Sequence, residues 1–419
     1  MKTSVLSTTW KNHWLHVPLL ELNYKDFSSQ GVFISFIDRF LTDSLLQKLK
    51  VKSSRVEIQG FRDRIATAID INRGIQHLDL KGCRYYRDNV DGFMYPFHEF
   101  MPLNLYTCKT LVSLKLSRYT LEDGHVVVSL PCLKLMDLRK IRWVGSMTLE
   151  KLLSGCPALE ELILRRGFYD EPAVLLVKSR SLKRFYVPFK RGYSSFSIEK
   201  YILEIDAPEL EYMSLKEYHF NTSLVKNLTC LFTIDLDIKF GIVFGPEKRN
   251  AIRDFLNGIT SVRHMIISQQ TVKALDRYSE IEPIPKFSNL SCLQAVFPSS
   301  SLQFLPALFE SCPNLKHLIL KIVYSEETEA FQVINVPPCF VSTLECVEIE
   351  GIFDWGEEEL KIASYFLENS AGLKKLILRF AHLSYPRQGT DIYEELNKVT
   401  KCSRGCRILI NYEASRRHD

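Results

Sequence analysis

One spacing recurs along this chain and limits what it can fold into: an apolar residue, two of any kind, an apolar residue, one of any kind, and a third apolar residue. The clearest copies are Leu159-x-x-Leu162-x-Leu164, Leu315-x-x-Leu318-x-Leu320 and Leu373-x-x-Leu376-x-Leu378. Looser copies begin at Ile75, Leu111, Leu133, Leu182, Leu210, Leu231, Val262, Leu290 and Leu344. The last two apolar positions stand two apart, which puts both on one face of a strand, and the first anchors the turn that leads in. Successive starts are 21 to 36 residues apart, and all but two of the intervals fall between 20 and 29. A unit of that size cannot bury its apolar face alone, so neighbours must stack.

The stretches between the triplets repeat as well. Leu152-Leu153-Ser154-Gly155-Cys156-Pro157-Ala158-Leu159 is matched by Leu308-Phe309-Glu310-Ser311-Cys312-Pro313-Asn314-Leu315. Leu149, Leu152 and Leu153 have helical spacing, and Pro157 stops the helix before the next strand. Each repeat therefore reads as strand, turn, helix, turn. The expected fold class is α/β, a curved leucine-rich-repeat solenoid with parallel strands on its concave face and helices outside. A cysteine stands three residues before the first apolar position at Cys108, Cys156 and Cys312, where a small apolar side chain suits a crowded corner. A regular repeat keeps Asn or Cys three positions past the strand. Only Cys83 fits that rule here, against Ile141, Gly167, Val323 and Ala381, so the convex turns should be irregular.

Charge gives little direction, since 54 Lys and Arg against 49 Asp and Glu leave +5 over 419 residues. That is far below what a dedicated nucleic-acid binder carries, and no apolar run reaches membrane-spanning length, so neither nucleic acid nor membrane is an expected partner. Eleven cysteines, an odd number without dense pairing, fit a reducing compartment. With no signal peptide at Met1-Lys2-Thr3-Ser4, the cytoplasm or nucleus is expected, and the Asn-x-Ser/Thr triplets at Asn221, Asn227 and Asn289 are read as chance.

Enzyme signatures are absent: no phosphate-binding glycine loop, nucleophile elbow or zinc-protease helix motif occurs. His77 and His317 fall within strand units and read as partly exposed strand residues. Cys402-x-x-x-Cys406 has no second pair at zinc spacing. The run Glu357-Glu358-Glu359 sits where a helix should start, and acids in a first turn favour the helix dipole. No catalytic residue, cofactor or metal ligand is expected.

Surface remains. Residues alternating with the buried strand positions should point from the concave face: Asp79, Lys115, Asp137, Arg139, Arg165, Tyr186, Lys216, Asp235, Asp237, Lys321, Glu348 and Arg379. Such mixed charge suits a protein partner, and reversing Arg139 and Arg165 together should weaken binding without lowering the melting temperature.

Both ends of the chain carry a resemblance. The start, Thr3 to Pro18 with Val5, Leu6, Trp10 and Trp14, resembles the last F-box helix and exit segment of plant F-box proteins that combine leucine-rich repeats with an FBD domain. The Cys156-Pro157 and Cys312-Pro313 junctions are similar to that family's repeats. Val336-Pro337-Pro338-Cys339-Phe340, Leu344-Glu345, Gly351, Glu357 to Glu359, Tyr365 to Asn369 and Leu373-Lys374-Lys375 resemble its FBD signature.

The resemblance implies three parts: an F-box remnant at 1–22, irregular repeats at 60–333 and an FBD domain at 334–411 that continues the array. It implies a non-enzymatic substrate receptor of an SCF-type cullin ubiquitin ligase, with a Skp-family adaptor, a cullin and an unidentified target protein as partners. The family's F-box opens with a Leu-Pro start and two helices that do not precede Met1 here. Val5, Leu6, Trp10 and Trp14 are accordingly candidates either for adaptor contact or for capping the first repeat. The alternative is a stand-alone leucine-rich-repeat binding module without ligase activity.

Overall fold

The computed structural model describes residues 18–43, 47–52, 61–71, 74–82, 86–87, 94–95, 99–122, 127–144, 148–165, 174–188, 201–216, 220–226, 228–238, 245–324, 335–353, 355–381 and 389–412. The chain divides into two compact units, one of Met1–Tyr193 with Leu203–Leu210 and the other of Ser194–Ile202 with Glu211–Asp419.

In the first unit seven strands run parallel and in sequence order: β1 (Leu19–Asn23), β2 (Lys48–Lys52), β3 (His77–Lys81), β4 (Ser113–Ser117), β5 (Leu135–Arg139), β6 (Glu161–Arg165) and β7 (Arg184–Val187). In the second, eight do the same: β8 (Tyr212–Leu215), β9 (Thr233–Leu236), β10 (His264–Ile267), β11 (Cys292–Pro298), β12 (His317–Val323), β13 (Cys346–Ile352), β14 (Lys375–Phe380) and β15 (Arg407–Tyr412). All twelve sequence triplets become strands, each opening two residues after its first apolar position. Those first positions, from Ile75 to Leu373, are buried to 2% exposure or less. Most of them close a tight turn, as Leu159 N donates to Cys156 O at 3.2 Å and Leu315 N to Cys312 O at 3.2 Å. The paired apolar residues of each strand, such as Leu78 with Leu80 and Leu318 with Leu320, form the core layer.

Three strands, β1, β2 and β15, went unassigned by the triplets. Their spacing was present in Val17-x-x-Leu20-x-Leu22 and Leu46-x-x-Leu49-x-Val51, while Gly405 replaces the leading apolar residue before Ile408 and Ile410. Parallel strands thus begin well before residue 60.

Helices accompany part of the repeats among the described residues. These are α1 (Gln30–Asp43), α2 (Phe61–Ile71) and α3 (Leu149–Ser154) in the first unit, and α4 (Pro246–Gly258), α5 (Gln269–Ser279), α6 (Leu305–Glu310), α7 (Pro338–Ser342), α8 (Glu357–Asn369) and α9 (Gly389–Lys398) in the second. The expectation of a helix in every repeat does not hold. In the first unit a small parallel sheet of Glu99–Phe100, Tyr119–Glu122 and Arg142–Val144 stands where helices were expected. The repeat from Leu111 to Leu133 spans only 22 residues. Arg118, at φ 63°, turns the chain directly into Tyr119-Thr120-Leu121, a run of β-forming residues. Lys140, at φ 53°, does the same one repeat later.

The Cys-Pro corners match expectation. Cys156 Sγ donates to Leu152 O and Cys312 Sγ to Leu308 O, each at 3.3 Å, and both thiols are buried. The acidic run opens α8, where Glu359 Oε2 accepts from Gly356 N at 3.0 Å. Inside that helix Phe366 packs on Phe340 and Phe309, with ring centroids 5.3 and 6.4 Å away. Among the described residues no helix is long and apolar enough to cross a membrane.

Candidate protein-interaction face

Opposite the buried leucines, side chains in parallel register form rows across each sheet, with neighbouring strands about 4.8 Å apart. In the first unit the middle row reads Glu21, Lys50, Asp79, Lys115, Asp137, Ile163, Tyr186. Over β1 to β5 the charges alternate in sign. Glu21 Oε1 takes Lys50 Nζ at 2.8 Å and Lys52 Nζ at 3.2 Å. Hydrogen bonds from the two lysines hold the Glu21 carboxyl below its ordinary range, and the bond to Glu21 raises the Lys50 ammonium.

Asp137 is 2% exposed, deep for a carboxylate. Its charge is met by Arg139, whose Nε lies 3.0 Å from both oxygens and whose Nη2 lies 2.5 Å from Oδ2. Arg165 Nε approaches to 3.9 Å from the next strand. Arg139 and Arg165 themselves are exposed and stand in one row with Lys52 and Lys81, giving that edge of the face a basic border.

The second unit repeats the device with other residues. Asp235 is buried and bonded to Lys216 Nζ at 2.8 Å and to Ser214 Oγ at 3.2 Å. Burial works against the Lys216 charge, yet Asp235 keeps the ammonium above its ordinary range. Asp237 accepts a short hydrogen bond from Ser268 Oγ. Further along, Glu348 is 8% exposed. Arg379 gives both Nε, at 2.8 Å, and Nη2, at 2.6 Å, to Glu348 Oε2, while His317 Nε2 meets Oε1 at 3.0 Å. Arg379 also reaches Glu350 at 3.4 Å. Between the two clusters the middle row turns mostly apolar, through Ile266, Gln294 and Ile319.

The twelve face residues thus divide by role. Asp137, Asp235 and Glu348 are buried anchors that fix the direction of a neighbouring cation, whereas Arg139, Arg165 and Lys321 are exposed. Asp79 and Lys115 belong to the alternating row, Tyr186 ends it, and Lys216 and Arg379 are half-buried. Sequence reasoning missed Glu21, Lys50, Ser214, Ser268 and His317 as members. The first two were legible from the unassigned triplets at Val17 and Leu46; Ser214, Ser268 and His317 stand at alternating positions of assigned triplets, and nothing in the sequence marks the carboxylates that they meet. Val5, Leu6, Trp10 and Trp14 lie outside the described residues.

Residues 332–378 match the FBD family, and residues 71–229 match the family described as FBD-associated F-box protein At5g56370, LRR repeats. The chain is 60% identical to the F-box/FBD/LRR-repeat protein At1g13780 of Arabidopsis thaliana over 98% of this chain and 92% of the relative. It is 55% identical to the FBD-associated F-box protein At5g27750 of the same plant over 99% and 94%. To F-box/LRR-repeat protein 13, also of Arabidopsis thaliana, it is 36% identical over 98% and 91%. With the repeat architecture, the FBD segment and relatives matched along nearly their full length, this chain belongs to the plant F-box/FBD/LRR-repeat family.

Proposed function

We propose that this protein is the substrate-recognition subunit of an SCF-type cullin E3 ubiquitin ligase and that its target is a protein held on the charged face of the repeats. The carrying observation is that face: exposed guanidinium groups aimed by buried carboxylates, as Arg139 is by Asp137, form a rigid pattern of short-range contacts suited to a folded protein surface. The F-box in the names of the relatives supports the ligase half of this reading. In that role the chain does no bond chemistry; it raises the effective concentration of target at the ligase.

The residues nominated for adaptor contact are Val5, Leu6, Trp10 and Trp14, with a Skp-family adaptor and through it a cullin as partners. The division into 1–22, 60–333 and 334–411 belongs to the same proposal, and the parallel pairing of Leu19–Asn23 with Lys48–Lys52 supports starting the repeats earlier than residue 60.

The test is co-elution of the purified chain with a plant Skp-family adaptor on a sizing column, with a relative carrying a complete F-box as positive control. A stable complex supports the ligase reading. A folded, monodisperse chain that never co-elutes overturns it in favour of a binding module acting alone.

A further inference from the structure

In the second unit one row of the sheet carries an unusual run. Where β10 to β13 cross it, the side chains are His264, Cys292, His317 and Cys346. Histidine and cysteine together are 10 + 11 = 21 of 419 residues, about one in twenty, so four in succession at one register position is not an effect of composition. Parallel register places them there although the sequence spreads them over 83 positions. At the end of the run His317 faces Cys346 across the strand pair, and Glu348 stands two residues beyond Cys346 on the same face. One ring nitrogen of His317, Cys346 Sγ and one Glu348 oxygen all lie within 4.8 Å of one another.

We propose that His317, Cys346 and Glu348 form a binding site for a zinc-class divalent transition metal ion, with water in the fourth position. The donor set is one imidazole nitrogen, one thiolate and one carboxylate oxygen, which selects zinc-class ions over magnesium or calcium, whose ligands are all oxygen. The bond lengths of such an ion imply donor separations of about 3.4–3.6 Å in a tetrahedral site. Closing on the metal therefore asks for roughly 1 Å of side-chain motion, within the reach of a χ1 adjustment at Cys346 and His317.

The surroundings fit that ion. Arg379 directs both of its donors to Glu348 Oε2, which leaves Oε1 turned toward His317 and holds the carboxylate in place, as outer partners of metal ligands do. Arg379 also meets Glu350. An ion of charge +2 would stand with Arg379 and Lys375 against Glu348, Glu350 and the Cys346 thiolate. Uptake forms a metal–sulfur bond and releases the Cys346 thiol proton to solvent. Beyond the ligands, in the same row, His264 Nε2 is a buried ring nitrogen with no hydrogen-bond partner among the described residues.

The test uses the full chain, purified without a histidine tag, stripped with chelator and titrated with Co²⁺. The expected result is uptake of about one equivalent with a thiolate-to-cobalt charge-transfer band, lost in Cys346→Ser and kept in Cys402→Ser, whose thiol is exposed. A His317→Asn variant, at a half-exposed position, should hold zinc at least about ten-fold more weakly in competition with a chromophoric chelator. Absence of the band, its persistence in a folded Cys346→Ser protein, or unchanged zinc affinity in His317→Asn would each overturn the proposal. Should Cys346→Ser fail to fold by circular dichroism, the His317→Asn affinity alone decides.

Discussion

Arg139 folds back over Asp137, two residues earlier on the same strand, and closes three donor–acceptor contacts of 2.5 to 3.0 Å on a carboxylate that is 2% exposed. The pair changes how the face must be probed. Reversing Arg139, which the sequence suggested would spare stability, would set two carboxylates together at a buried position. Arg139→Met is expected to cost about 1–3 kcal/mol in urea denaturation by stranding Asp137. Asp137→Asn in the same chain should return part of that loss in a double-mutant cycle. Arg165→Gln, on a residue 3.9 Å away and exposed, should shift stability by no more than about 1 kcal/mol, which makes it the suitable probe of target binding.

Leu162 and Leu318 are fully buried at equivalent positions of the two units. Replacing either with alanine should lower stability by about 2–5 kcal/mol, measured by chemical denaturation, because the stacked leucine layer cannot collapse into the gap without moving neighbouring strands. A loss under 1 kcal/mol at both sites would contradict the packing described.

Gly351 sits in β13 at φ +69°, where the pairing with β14 slips between Ile349 and Ile352. A side chain there meets Lys321, whose Cε would lie 3.0 Å from an added Cβ. Gly351→Ala should cost about 1–2 kcal/mol, mostly from the left-handed backbone, and a thermal melt reads it directly.

Cysteine labelling should sort by depth. Burial pushes Cys156 and Cys339 up to about 12 and moves Cys312 upward as well, while Cys132, Cys230 and Cys402 are exposed. Brief alkylation of the native chain at pH 8, followed by peptide mass spectrometry, should therefore mark the second group and spare the first.

Asp276 on α5 is pushed above its ordinary 3.8 by burial, opposed by a hydrogen bond from Ser301 and reinforced by Glu280. A carboxyl that keeps its proton more tightly when folded contributes full stability below about 3.8 and loses it as pH rises through the folded value. Asp276→Asn removes the ionisation, so it should raise the melting temperature at pH 7 relative to the parent and leave pH 3 little changed.

The repeat was legible because its physics is local: an apolar residue at the first position of most triplets closes a turn whether or not its neighbours are known, and all twelve triplets made strands. Where the sequence misled, the deciding information was length or distance. The 22-residue repeat after Leu111 left no chain for a helix, and the turn at Arg118 sent it into a strand instead. Alternation says which side of a strand a residue takes, yet it says nothing about depth. That Asp137 and Glu348 are buried anchors depends on Arg139 and on Arg379, the latter arriving from the next strand, 31 residues on. The row of His264, Cys292, His317 and Cys346 has no spacing signature at all, since only the register of four strands assembles it.

The alternating row of Glu21, Lys50, Asp79, Lys115 and Asp137 has a kinetic consequence. Opposite charges about 5 Å apart cancel one another's field within roughly a Debye length, about 10 Å at 0.1 M salt. The row itself therefore adds little long-range attraction, and what steering the face exerts falls to the basic border of Lys52, Lys81, Arg139 and Arg165. Discrimination then falls to the moment of contact, when a matching sequence of charges is held and a pattern displaced by one strand meets like charge at every step.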